Sequence, residues 1–70
     1  MNDATHELTA WREVNATSIQ RGDRVDLDGL HRRVVDMCTL PRNGKRLVFE
    51  DGGAYCLAEG ESLYAYRDPA

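Results

Sequence analysis

The chain has 70 residues, 41% hydrophobic and 30% charged, with a net charge of −3. That describes one small folded domain, and it excludes both a disordered chain and a uniformly basic nucleic-acid binder. No apolar run approaches the ~20 residues that cross a bilayer, and Met1 to Glu7 lacks the charged-then-apolar start of a secretory signal, so a cytoplasmic chain with Cys38 and Cys56 reduced is expected.

Residues 1–9 are polar, lack periodicity and read as a flexible tail. The folded domain is placed at 10–67, with 68–70 as a second tail. Trp11 and Val14 flank Arg12-Glu13 and form a short first strand or a turn. Asn15-Ala16-Thr17-Ser18 is a capping loop, in which Ser or Thr caps one helical turn through Ile19 and Gln20. Gly22 then supplies backbone freedom. From Asp23 to Asp28 polar and apolar residues alternate, so Val25 and Leu27 face one way and Arg24, Asp26 and Asp28 the other. Asp28-Gly29 is a hairpin signal.

A long strand follows, Leu30 to Leu40. Val34 and Val35 are adjacent, which breaks the alternation and calls for a bulge or bend. Pro41-Arg42-Asn43-Gly44 is the strongest turn. With Asn43 and Gly44 as a two-residue loop, Gly44 at positive φ, Leu40 faces Leu47 and Cys38 faces Phe49. Asp51-Gly52-Gly53 makes the next hairpin. A three-residue loop with a glycine bulge is preferred, because it puts Tyr55 and Leu57 on the face of Phe49. Ala58 to Glu61 is a loop, and Ser62 to Arg67 the last strand. The expected fold is all-β, a small five-stranded barrel or roll with at most a short helical turn.

The turn at Gly22-Asp23, Val25 after it, Gly29, Val34-Val35, and Val48-Phe49 before Asp51-Gly52 together resemble SH3-like barrels of the KOW and Tudor kind. The resemblance covers most of the chain after Trp11. His31-Arg32-Arg33 stands where the KOW pattern has its second spaced glycine. The resemblance implies a binding module and assigns no residue beyond the structural turn at Gly22-Asp23.

Two residue groups carry candidate chemistry. Arg32, Arg33, Arg42, Lys45 and Arg46 give residues 31–46 a net charge of +4, so the remainder is about −7. Such a hairpin is either a phosphate- or carboxylate-binding face or a solvated surface. Tyr64 and Tyr66 alternate on the last strand, share a face opposite Leu63 and Ala65, and make a contact patch if that face is outward. Aromatics on such a barrel suit a methylated cation or a proline-rich peptide, or they fill the core. Cys38, Cys56, His31 and His6 lack zinc spacing, and the thiols read as small core residues. Asp26 and Asp28 point to solvent, which suits solubility better than catalysis. No catalytic residue, cofactor or metal is expected. The reading is a non-catalytic binding module with a protein partner, and its alternative is a nucleic-acid accessory protein using the hairpin at 31–46. No membrane partner is expected.

Overall fold

A computed structural model describes residues 11–67. The prediction for 1–9, with His6, and that for 68–70 lie outside the described residues. The strands are β1 (Trp11–Asn15), β2 (Arg24–Leu27), β3 (Leu30–Thr39), β4 (Lys45–Phe49), β5 (Ala54–Leu57) and β6 (Ser62–Tyr66), with one 3-10 turn at Pro41–Asn43. The architecture is all-β, as the alternation predicts. Among the described residues it has six strands rather than five, in one antiparallel sheet of order β1-β6-β2-β3-β4-β5.

Among the described residues the sheet does not close into a barrel. β1 occupies one side of β6, leaving β1 and β5 as outer strands with no ladder between them. A side chain from β4 reaches the turn after β1 instead, where Lys45 Nζ donates to the Ala16 carbonyl at 3.0 Å.

One face of the sheet holds the core: Val14, Val25, Val34, Leu47, Phe49, Leu57 and Ala65, joined by Ala16 and Ile19 from the loop after β1. Each strand contributes through its period-two alternation. Burying such side chains is the main favourable term for so short a chain.

The turns set the register of each strand pair. Asp28 (φ 54°) and Gly29 (φ 79°) form the two-residue hairpin loop predicted, setting Leu27 opposite Leu30. The expected bulge falls between Val34 and Asp36. It buries Val34 and turns Val35 outward, 45% exposed. After β4, Gly52 (φ 94°) takes the left-handed position, and Phe49 N–H donates to the Gly53 carbonyl at 2.8 Å. Tyr55 therefore pairs with Leu47 and Leu57 with Lys45 on the core side, the preferred alternative.

The Pro41–Gly44 turn differs from expectation. Pro41 starts a 3-10 turn, Arg42 and Asn43 both take φ 64°, and Gly44 is extended at φ −87°. Leu40 N–H donates to the Gly44 carbonyl at 2.9 Å, closing a longer loop than Asn-Gly alone would make. The register shifts accordingly: Leu47 meets Met37, Phe49 meets Val34, and Cys38 meets Arg46. Both cysteines are free and exposed, not core thiols, because Cys38 and Cys56 flank Arg46 on the outer face. The capping loop is also revised. Asn15 caps it, its Oδ1 accepting from the Thr17 and Ser18 N–H groups at 3.0 and 3.2 Å.

Gly44 is required for space rather than for φ. A Cβ built there would lie 3.1 Å from the Leu57 carbonyl oxygen, a backbone atom of β5. Gly44→Val should cost ~1–3 kcal/mol through overpacking, read as a lower urea midpoint. Gly44→Ala should cost less. Wild-type stability in both variants would show that β5 retreats freely.

Candidate functional site

Alternation sends the core residues of β1, β6, β2 and β3 inward, so their other residues share the outer face. Tyr66 lies between Trp11 of β1 and Arg24 of β2, and Arg24 lies beside Arg33 of β3. In the next row Tyr64 pairs with Glu13, and Asp26 with His31. The Trp11 ring sits 4.9 Å from the His31 ring and 5.8 Å from Tyr66, both tilted, the favoured geometry for aromatic pairs. Tyr64 is 60% exposed. Two open clefts share Trp11 and His31: one of about 340 Å³ adds Arg24 and Tyr66, the other of about 520 Å³ adds Asp26 and Tyr64.

Tyr64 and Tyr66 thus share the outward face, with Ala65 buried behind them. Trp11 and His31 join them from segments that the sequence does not connect. The only signals for them are Trp11 at an outward position of β1 and His31 at an outward position of β3.

The five bases of the hairpin go to separate places. Arg32 turns to the core side, 5.7 Å from the Phe49 ring centroid, with its Nε 3.7 Å from Asp51 Oδ2. Arg33 stands on the aromatic face. Lys45 is held by the Ala16 carbonyl. Arg46 lies exposed between Cys38 and Cys56, and Arg42 lines a third cleft beside β5. The longer Pro41–Gly44 loop and the bulge in β3 set these directions, so the bases do not form one surface.

Two part-buried polar pairs lie outside the linings of these clefts. Asp23 is fully buried where the first turn enters β2. Its Oδ1 accepts from Arg67 Nε at 2.7 Å, and its Oδ2 from Arg67 Nη2 at 2.9 Å and from Gln20 N–H at 3.0 Å. This bonding raises the Arg67 pKa further. The Tyr55 hydroxyl donates to Glu61, whose other oxygen accepts from Ala58 N–H at 3.0 Å. The tyrosine hydrogen bond holds the Glu61 carboxyl below its usual range, and the same bond raises the Tyr55 phenol.

A pH dependence follows from that pair. Glu61, lowered in the folded chain, adds stability that is present above the ordinary carboxylate pKa and lost as pH falls through the lowered value. Tyr55, raised, adds stability that is present below the ordinary phenol pKa and lost as pH rises through the raised value. Tyr55→Phe should cost ~1 kcal/mol at neutral pH. Urea melts from acid to alkali should show the gap to wild type narrowing at both extremes. A constant gap would assign the whole cost to packing.

Among the described residues no three His, Cys, Asp or Glu side chains group to hold a metal ion. No helix in this region is long and apolar enough to cross a membrane. Comparison with protein-family models, with curated proteins and with solved structures finds no match for the chain.

Proposed function

We propose that this chain is a non-catalytic binding module whose aromatic outer face engages a protein partner. The observation that carries the reading is the grouping of Trp11, His31, Tyr64 and Tyr66, from three strands, around two open clefts. Aromatic rings at a surface offer large contact area with few rotors to fix, the chemistry enriched at protein interfaces. Asp26 lines the larger of the two clefts and Arg24 the smaller, so an apolar or cationic side chain of the partner suits the larger one. The dispersal of the hairpin bases gives the nucleic-acid alternative less support, since phosphate binding gains from convergent cations. The likeness to SH3-like modules belongs with this proposal and adds no residue to it.

Extract of the source cells, with and without nuclease treatment, should be passed over immobilised wild-type chain and over Tyr64→Glu. A protein held by the first and lost from the second supports the reading. Trp11 is the only tryptophan, so a partner without tryptophan, once purified, should shift the emission of the cleft itself. Equal retention on both columns would overturn the proposal. Retention that nuclease abolishes would transfer the face to nucleic acid.

A further inference from the structure

Among the described residues the sheet is open at β5, and its edge backbone groups are defined by hydrogen-bond phase. The bond from Phe49 N–H to the Gly53 carbonyl fixes the bonded pairs of the β4–β5 ladder as Leu47 with Tyr55 and Lys45 with Leu57. The bond from Leu40 N–H to the Gly44 carbonyl fixes the same phase on the other side of β4. The N–H and C=O groups of Ala54 and Cys56 therefore point off the sheet, and both residues are exposed. Ala54–Leu57 carries no charge, proline or bulge. It thus lacks the usual devices that block strand addition, apart from its shortness. β1, the other outer strand, carries Arg12 and Glu13.

Two features beside this edge say what would pair with it. An open apolar cleft of about 380 Å³ adjoins the end of β5, lined by Leu40, Pro41, Leu57 and Ala58 with Arg42 and Glu59 at its rim. Arg46 lies one strand in, directly beside Cys56 on the outer face. Glu59 accepts from Asn43 Nδ2 at 3.2 Å and keeps its charge, but Arg42 and Arg46 outnumber it, and neither has an ion-pair partner among the described residues. We infer that the β5 edge accepts an extended acidic segment of a partner protein by strand addition, with its carboxylates toward Arg42 and Arg46 and an apolar side chain in the cleft. A second copy fits less well. Antiparallel pairing of two β5 edges through Ala54 and Cys56 would set Gly52 of the other copy against the cleft and leave it unfilled.

This surface is separate from the aromatic face, so its test stands or falls independently of that reading. The probe is a fluorescein-labelled octapeptide of alternating Glu and Val, read by anisotropy on the full chain. Its controls are the Lys and Val counterpart and a Glu and Val peptide N-methylated on every backbone nitrogen, so that neither of its edges can donate. The chain's net charge of −3 attracts the basic peptide, so a preference for the acidic one reports the local arginines. Binding of the acidic peptide at least ten-fold tighter than either control supports the inference. So does reversal of the charge preference in an Arg42→Glu, Arg46→Glu variant. Cys56→Pro, tolerated where an edge N–H faces away from the ladder, should lose the same ten-fold. Equal binding of the N-methylated peptide would overturn strand addition, and no binding or a preference for the Lys peptide would overturn the acidic partner. A concentration-dependent dimer in sedimentation, abolished by Cys56→Pro, would assign the edge to a second copy instead.

Discussion

A Phe49→Ala chain should be largely unfolded at room temperature. Phe49 is 1% exposed and is the largest of the fully buried side chains. It closes the core where β4 meets the bulged part of β3, opposite Val34, with the Arg32 guanidinium over its ring. Truncating a buried phenylalanine costs ~3–5 kcal/mol, the lost transfer energy plus the cavity left behind. The whole stability of a domain this size is of similar magnitude, ~3–5 kcal/mol. Amide NMR dispersion should collapse in the variant. Phe49→Leu keeps most of the volume, should cost ~1 kcal/mol, and should retain a native-like spectrum. Native dispersion in Phe49→Ala would mean that the core seals without its largest member.

Arg67→Ala should be the next most damaging change. It leaves the Asp23 carboxylate buried with only the Gln20 N–H to answer it. Removing one partner of a buried ion pair costs ~3–5 kcal/mol. Arg67 is itself one-third exposed, at 33%, and water entering its place reduces the loss, so ~2–4 kcal/mol is the expected range. The double variant Asp23→Asn, Arg67→Ala should recover part of it. The amide still accepts from Gln20, and no charge is left buried. Urea melts of the three chains decide the matter. A single variant as stable as wild type would show that the carboxylate finds water once Arg67 is gone. A double variant worse than the single would show that Asp23 matters as a turn cap rather than as half of a charge pair.

How much of this was legible depends on how locally each feature is determined. Asp28-Gly29 announces its loop because two successive positive φ angles demand such residues. Val34-Val35 announces a bulge or bend because adjacent valines break the alternation, although the strand buries only Val34 and turns Val35 outward. Tyr64 and Tyr66 follow from period two alone. The Pro41–Gly44 loop misleads because two turn signals overlap there. Asn-Gly favours a tight hairpin, but Pro41 starts the chain turning two residues earlier, and Arg42 takes a left-handed conformation that no residue preference announces. The resulting shift carries Cys38 from the core to the surface. The Trp11–His31 contact and the Asp23–Arg67 pair are invisible for another reason. Each joins segments far apart in the chain, Asp23 and Arg67 by 44 positions, and an aspartate is by type a surface residue. Only the arrangement of β6 between β1 and β2 brings them together.

That arrangement also governs how the domain can be joined to other things. Trp11 and Tyr66 are direct neighbours in an antiparallel ladder, so the described chain enters and leaves the sheet ~5 Å apart. Such a unit can be spliced into a surface loop of a host protein with little strain on the host, since the loop's two ends are already nearly together. Joining residue 67 to residue 11 by a short linker, and opening the chain at the exposed tip of Gly52, should likewise give a rearranged chain that folds to the same sheet.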